Sequence, residues 1–489
     1  MRIAVIGTGP AALGVLSALA DENRNLHVTI YDPAAQIVDK CRTLNPVSLY
    51  PSLRRRFGLQ FPPPKSYFGE VPEKMVVDKR HKIWRARHFG GLSNFWGSVV
   101  LPFTDKEFSG WPVTAADMAP YYRRISEVMG ISGTVDGLNK YFGDTFENRP
   151  PIELPLVMKS FLNIFNDSQK FVAGHSRLAL ETRLNNQQAC NRCGQCLSGC
   201  PVDAIFRTEN HIQKLIPKFT SSEIVRQKVM QYDPVLRVIE MENGLISEQF
   251  DRIYLAAGCL GTTEIVMRSL GLSSGPVMTD NTIFTFPIIY TGRNSAVIGE
   301  NHMAMTYLLM GYLPDTAETP FTKIQIYSSF DYLWQYILPP KFWFLFKPIG
   351  QLLRARILWA RLYLDGTESD QYALQLDNEL KLSVYQKGKK TDNTLTVFRE
   401  LRKAIKKTGF VIPRLPLIRH KTSSHYTATL PYGSVLSTRE GALTIDRVGT
   451  VADGVHICDG AVFASSPSNS PTFTIMANAY RTVMDSLNG

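Results

Sequence analysis

Two stretches carry residue types that do chemistry at telling spacings. Near the N-terminus, Gly7-Thr8-Gly9-Pro10-Ala11-Ala12 follows the apolar run Arg2–Ile6 and precedes the small, apolar Leu13–Ala20. His27–Tyr31 then reads as a second strand ending in Asp32, 25 residues after Gly7. Strand, glycine turn, helix, strand and acid in this order form a dinucleotide-binding unit. Gly7 permits the tight turn, and Gly9 lets a diphosphate approach the backbone. Pro10 and Ala11 open the helix, and Ala12, in place of a third glycine, keeps it close to the strand. The helix N-terminus offers its free N–H groups to the phosphates. Asp32 stands where a carboxylate accepts hydrogen bonds from a ribose.

The second stretch holds four thiols within eleven residues: Cys190, Cys193, Cys196 and Cys200, followed by Pro201. The C-x2-C-x2-C-x3-C-P spacing is that of bacterial ferredoxins, in which clustered thiolates hold a 4Fe–4S cluster. In two-cluster ferredoxins the fourth cysteine serves the other cluster, and this chain has no second run. Either Cys200 bends back to complete one cluster, or Cys41, Cys259 or Cys458 supplies the fourth ligand. A structural zinc site or a loop of free thiols is the alternative.

The elements that must position these groups follow from composition and texture. The chain has 489 residues, 44% hydrophobic and 20% charged, enough for two domains or one large composite unit. Seven cysteines, four of them clustered, suit a reducing compartment better than a disulfide framework. The dinucleotide pattern begins at residue 2, leaving no room for a cleavable leader, so a cytoplasmic location is expected. No 18-residue apolar run suggests a membrane-spanning helix. The formal net charge of +11 suits an anionic partner. No recognised nucleic-acid module appears, so nucleic acid is not expected as that partner.

Along the chain, Pro33–Lys82 is irregular and carries Arg54-Arg55-Arg56 and Pro62-Pro63-Pro64; it is expected to wrap the nucleotide loop. In Trp84–Val100 the pair Gly90-Gly91 allows close approach to a ligand, which Ser93, Asn94 and Trp96 would line. Thr114 reads as a helix N-cap, with the helix restarting near Pro120. Met118, Tyr121, Tyr122 and Ile125 read as core. Glu223–Tyr232 reads as a strand, and Val235–Met241 and Leu245–Phe250 as a hairpin across Asn243-Gly244. Asp251–Ala257 reads as a buried strand running into Gly258, with a helix from about Thr262; Ala257 and Gly258 make a second glycine-ended contact to the nucleotide. Pro276–Leu415 has the texture of a sheet-based domain. Its strands are expected at Thr282–Tyr290, His302–Tyr312, Thr322–Ser328, Gln371–Leu376 and Leu380–Tyr385, with a helix at Thr394–Lys407. Within it, Tyr332–Leu364 mixes dense aromatics with Lys341, Lys347, Arg354, Arg356 and Arg361. It reads as two core helices with snorkelling basic side chains, as a peripheral contact on the inner face of a membrane, or as a cap on a greasy substrate channel. In the tail, Val455–Cys458 ends in Asp459-Gly460, an acid and a glycine able to meet cofactor hydroxyls. A helix over Thr472–Met484 starts at the same place.

With these segments in order, the chain resembles the glucose–methanol–choline family of FAD-dependent oxidoreductases, which includes pyranose and cholesterol oxidases. Gly7–Ala12 is similar to the family's FAD loop. Gly90–Trp96 is similar to its GGxSxxW segment, Trp111–Tyr122 to its W-P…P-Y-Y segment, Ala256–Glu264 to its AAGxLGTTE segment, and His456–Ala477 to its C-terminal tail. The resemblance implies an α/β fold. A discontinuous FAD/NAD(P)-binding Rossmann-like domain (1–100, 208–275 and 416–489) joins a segment at 101–185 and a sheet-based α+β substrate domain at 276–415. The cysteine loop at 186–207 is a small iron–sulfur insertion. The resemblance places His425 as general base beside the flavin and Ser470, before Pro471-Thr472, at the family's second catalytic position, with Asn469 as neighbour. Ser470 departs from the family's Asn or His. Phe95 stands where some pyranose oxidases attach FAD through a histidine, so FAD is expected to be non-covalent. The implied activity is oxidation of an alcohol of a sugar-like or lipid-like substrate, free or phosphate-linked. Electrons would leave through the cluster to an acceptor protein or quinone. The alternatives are a ferredoxin-driven reductase of a carbonyl or double bond, and a redox-sensing FAD/Fe–S protein without turnover.

Overall fold

The computed structural model describes residues 1–22, 24–34, 68–70, 83–86, 88–194, 196, 200–272, 275–292, 303, 305–313, 320–328, 356–378, 380, 382–388, 394–414, 417–420 and 423–488. Cys41, Arg54–Arg56, Pro62–Pro64 and residues 332–355 lie outside these. So does almost all of the wrap expected at Pro33–Lys82.

One sheet has six strands in the order Thr450–Ala452, Val455–Ile457, Arg252–Leu255, Arg2–Ile6, His27–Tyr31 and Ser221–Val225. All neighbours are parallel except the first pair. The central strand buries Ile3, Ala4, Val5 and Ile6, as a parallel sheet covered on both faces requires. The helix Pro10–Asp21 begins with proline at its first turn and buries every residue from Ala11 to Leu19. It packs on the C-terminal helix Thr472–Asn488. Gly14 allows that approach, since a Cβ there would lie 2.4 Å from the Met476 carbonyl oxygen. The two ends of the chain therefore build one layer of the nucleotide-binding unit.

The helix Ala115–Met129 starts at a reciprocal capping box between Thr114 and Asp117. It does not restart at Pro120 but runs through it; the proline falls in the second turn, near the entry, where one lost backbone bond is tolerated. Met118, Tyr122 and Ile125 are buried, and Tyr122 reaches the C-terminal helix, its ring centroid 4.7 Å from that of Phe473.

The second sheet is antiparallel: Phe410–Val411, Ile283–Tyr290, Ile357–Tyr363, Thr322–Ser328, Thr306–Tyr312 and Phe171–His175, with Ile418–His420 also paired to Ile283–Tyr290. One face is apolar. Phe284, Phe286, Ile288, Ile324, Ile326, Leu358, Ala360 and Leu362 join one core with Val397, Phe398 and Leu401 of the helix Thr394–Ala404. The alternation of a strand turns Lys323, Gln325, Tyr327, Trp359, Arg361 and Tyr363 to the other face. The register sets Lys323 opposite Tyr363 and Gln325 opposite Arg361.

Several boundaries differ from the sequence reading. Ile357–Tyr363 is a central strand rather than part of a core helix, one of the readings of that segment: Ile283–Tyr290 pairs along its whole length and Thr322–Ser328 from Leu358 to Tyr363. Glu223–Tyr232 breaks into Ser221–Val225 and Val229–Tyr232, which belong to different sheets. Leu245–Phe250 forms a bridge at Ile246 rather than a strand, although the turn at Asn243-Gly244 is present. The helix after the second glycine-ended strand starts at Gly258 itself. Among the described residues, no helix is long and apolar enough to cross a membrane.

Candidate active site

The glycine turn is held from both sides. Gly7 has φ +112°, and a Cβ there would fall 2.3 Å from the Ala256 carbonyl oxygen, so only glycine fits. Gly9 is different: a Cβ there would meet nothing within 4 Å. No side chain caps the helix that starts at Pro10. An uncapped helix N-terminus beside open space is the arrangement that takes a diphosphate. Asp32 is buried. One of its oxygens accepts the Ala34 N–H at 2.8 Å and the other accepts the Thr8 hydroxyl. Burial raises its pKa, and lone pairs remain on both oxygens for further donors.

The Gly90-Gly91 turn lies directly over this loop. A Cβ on Gly91 would sit 3.3 Å from the Gly9 Cα. The Gly90 N–H donates to the Thr8 hydroxyl at 2.9 Å. Thr208 binds the two turns together, its hydroxyl within 3.0 Å of both the Thr8 and Gly90 carbonyl oxygens. Ser93 is buried, with its hydroxyl on the Gly90 carbonyl (2.7 Å) and against the Thr208 hydroxyl (3.0 Å). Trp96 donates its indole N–H to the Phe206 carbonyl at 2.9 Å. Ser93 and Trp96 therefore brace the segment through their polar atoms. Asn94 donates to the Phe89 carbonyl at 2.8 Å, while its Oδ1 is buried without a partner.

On the opposite side, Gly258 has φ +77° with open space at its Cβ position. Ala257 donates its N–H to the Thr262 hydroxyl at 3.2 Å. Asp459 accepts from that same hydroxyl and, at 3.0 Å, from the Ala461 N–H. Burial lifts its pKa to about 6. Asp459 thus ties the helix at Gly258 to the turn at Gly460. Pro471 and Thr472 begin the C-terminal helix, with the Pro471 carbonyl accepting the first-turn N–H of Ile475 at 2.8 Å.

His425 lies where this side meets the antiparallel sheet. Its segment is clamped to Val277–Thr279 by paired backbone bonds between Thr279 and Thr427, and to Gly460 through the Ala428 N–H. Ser424 (φ 67°) and Ala428 (φ 66°) flank it in the left-handed region, a strained conformation that the surrounding structure must hold. Asp280, buried, accepts the His425 N–H at 3.0 Å, the Ser423 N–H at 2.9 Å and the Ser423 hydroxyl at 2.5 Å. The imidazole is fixed by Asn281. The Asn281 amide NH2 donates to the carbonyls of Leu364 (2.8 Å), Ser466 (2.9 Å) and Pro467 (3.1 Å). Its Oδ1 must therefore face His425 Nδ1, at 2.7 Å, and accept from it. The proton is assigned to Nδ1 by this network, and Nε2 keeps its lone pair. Burial, with the Lys323 and Arg361 charges, holds the imidazole well below the ordinary histidine range, so it is neutral at pH 7.

Ser470 accepts a hydrogen bond at 2.9 Å from Nζ of Lys323, a completely buried lysine. The same Nζ stands 4.4 Å from the centroid of the Tyr363 ring, which stacks on His425 at 5.9 Å and 19°. His425, Tyr363, Lys323 and Ser470 thus form one continuous surface. Asn469 points the other way, donating to Glu107 at 3.2 Å, and its buried Oδ1 has no partner. Burial raises Glu107 to about 7. The sequence reading named His425, Ser470 and Asn469; the structure sets Asp280, Asn281, Lys323 and Tyr363 beside them, which it did not name. The available signal was polar residues in buried runs: Asp280-Asn281 just before a strand, and Lys323 alternating with Gln325 and Tyr327 among isoleucines.

FAD suits this arrangement on the molecule's own features. The uncapped helix start and the open faces of Gly9 and Gly258 leave room for its diphosphate and ribose. The orphaned oxygen of Asn94, beside the Gly90-Gly91 turn, calls for a donor of the kind its ribityl chain carries.

The cysteine loop stands on a stem formed by the Leu180–Ile205 bridge and the Phe206 N–H to Ala179 carbonyl bond. That stem runs into Thr208 at the glycine turns. Cys190, Cys196 and Cys200 pack against the antiparallel sheet's core, and Cys193 is exposed. Burial raises the Cys190 thiol, with smaller contributions from Cys200 and Cys193. Among the described residues, however, no three His, Cys, Asp or Glu side chains converge to hold a metal ion, these four thiols included. Cys259 and Cys458 are buried in the nucleotide-binding core. Cys259 instead contacts the Thr429 hydroxyl.

No family model matches the chain. No curated protein matches it by sequence. Solved structures do match in shape. Pyridoxine 4-oxidase from Mesorbium loti superposes with a TM-score of 0.65 over 100% of this chain and 99% of that one, at 13% identity. An FAD-dependent oxidoreductase from Chaetomium thermophilum superposes with a TM-score of 0.58 over 99% and 98%, also at 13% identity. The fold is that of FAD-dependent oxidoreductases. The likeness in shape extends over nearly the whole length of this chain and of both structures.

Proposed function

We propose that the protein is an FAD-dependent oxidoreductase of the glucose–methanol–choline type. In this reading it binds FAD non-covalently over Gly7–Ala12 and Gly90–Trp96 and oxidises an alcohol of a sugar-like or lipid-like substrate. The observation that carries this reading is the tautomer of His425: Asn281 holds the proton on Nδ1 and leaves Nε2 as an acceptor. Nε2 takes the hydroxyl proton as the carbon gives up its hydride, and the alcohol becomes a carbonyl. Asn281 Oδ1 keeps accepting from Nδ1–H as the imidazole becomes positive. Ser470, supported by Lys323, orients the substrate oxygen. FAD, when bound, supplies the hydride acceptor.

The cysteine loop is proposed to hold a 4Fe–4S cluster. The spacing of the four thiols and the shared packing of Cys190, Cys196 and Cys200 support it; the thiols themselves are not drawn together. A cluster there would give a one-electron outlet to an acceptor protein or quinone. A peripheral membrane contact remains a proposal for residues 332–355, since 356–364 are committed to the sheet, and a cytoplasmic location is likewise proposed.

The test is the visible and electron spin resonance spectrum of anaerobically purified protein. Flavin absorption that bleaches with an alcohol is expected. Protein that takes up no flavin overturns the reading. Flavin without a cluster signal on reduction removes only the cluster.

A further inference from the structure

Lys323 is unusual because it is buried with no carboxylate partner among the described residues. Its side chain is completely buried. Its position is fixed by sheet register, opposite Tyr363 on one side and Gly311 on the other. Its polar contacts are the Ser470 hydroxyl and the face of Tyr363, neither of which carries charge. Burial first, and then the Arg361 charge, push its pKa well below the ordinary lysine value, so an anion is needed to hold the ammonium form there. The carboxylates nearby are turned elsewhere: Asp280 to Ser423 and the His425 backbone, Glu107 to Thr104 and Asn469. Lys323 and Arg361 both act on His425 in the same direction. The Lys323 and Arg361 charges are therefore both felt at His425, and among the described residues no carboxylate pairs with Lys323. A buried ammonium without a counter-ion is costly, and such charges are normally paired.

We propose that the substrate supplies the counter-ion: the alcohol to be oxidised carries an anionic group, a carboxylate or a phosphate, whose oxygen pairs with Lys323 Nζ beside Ser470. This rests on the reading of the site as alcohol-oxidising and names its substrate class. The anion docks on Lys323 while the adjacent Ser470 orients the hydroxyl oxygen, and the hydroxyl-bearing carbon is thereby held toward His425 Nε2. Lys323 selects the substrate, and His425 acts on it.

The test is titration calorimetry of the FAD-bound protein with three probes: benzoate, inorganic phosphate, and benzamide as the neutral isostere of benzoate. At least one anion is expected to bind ~10-fold or more tightly than benzamide, as a charge-assisted contact to a buried cation gives. Preference for benzoate identifies a carboxylate, and preference for phosphate a phosphoryl group. Lys323→Met, close in volume and uncharged, is expected to abolish the preference. The wild-type comparison stands even where that variant does not fold. No preference for either anion over benzamide overturns the proposal, as does a preference that survives Lys323→Met, which would assign the lysine to the cofactor or to structure. Failure of the alcohol-oxidising reading is seen separately, as protein without flavin absorption or flavin that no alcohol bleaches.

Discussion

The two sheets build their halves of the site by different means. The parallel sheet presents backbone: two glycine turns, an uncapped helix start and the open faces of Gly9 and Gly258. The antiparallel sheet presents side chains, with Lys323 and Tyr363 projecting from paired strands and His425 stacked on Tyr363. Backbone geometry suits a cofactor whose diphosphate is always the same. Side chains on a strand face can be exchanged without disturbing the ladder beneath them, which suits a substrate that differs from enzyme to enzyme. The difference teaches where a change destroys the protein and where it only alters what the protein does.

That contrast can be broken most severely at Gly7. Gly7→Val puts a side chain 2.3 Å from the Ala256 carbonyl oxygen at a left-handed φ. The expected outcome is no recoverable folded flavoprotein, checked by soluble yield and visible absorption; a stable, flavin-loaded variant would refute the backbone half of the contrast. On the side-chain half, Asn281→Ala leaves both glycine turns untouched but frees the imidazole tautomer. Flavin content should persist while the rate of anaerobic flavin reduction by an alcohol falls roughly 10-fold or more. An unchanged rate would show that His425 needs no orienting partner.

The pH profile sharpens the same point. His425 is held neutral to well below its ordinary value of 6.5. The wild-type reduction rate is therefore expected to show no loss through protonation of this base from about pH 8 down past 6.5, with its acidic limb below that. A limb centred above 6.5 would assign the base to another group.

The smallest effect is expected at Glu107, between the two halves. Its folded pKa of about 7 lies above its ordinary 4.5. Its contribution to stability is thus fully present below pH 4.5 and is lost as pH rises through 7. Glu107→Gln removes that loss and offers an amide N–H to the unpartnered Asn469 Oδ1. The variant's melting temperature should gain on wild type as pH rises from about 5 to 8, by a few degrees. A gap that stays constant across that range would contradict the assignment.

Legibility in the sequence followed the same division. Gly7, Gly90 and Gly258 announced themselves because a left-handed turn restricts which residue can stand there, and Gly9 and Asp32 through their spacing from Gly7. The strands Arg2–Ile6 and His27–Tyr31 were readable because their apolar runs are short and bounded by that turn. His425 emerged only through its neighbours in the tail. Asn281 gave no local sign, since its role depends on a residue 144 positions away. Lys323 likewise gains meaning from Ser470, 147 positions on. Ile357–Tyr363 was not read as a strand because its apolar residues are nearly continuous, with only Arg361 interrupting; a central strand in this sheet buries Trp359 and Tyr363 on its polar face as well. The cysteine spacing was legible as a pattern, but the pattern does not by itself bring four sulfurs to one point.

The most direct test of the account is stopped-flow flavin bleaching under anaerobic conditions, comparing wild type with His425→Ala on the same alcohol. The account predicts equal flavin content and a rate lower by about 10²-fold or more in the variant. Bleaching at the wild-type rate would show that His425 Nε2 does not take the proton, and would contradict the role assigned to the site.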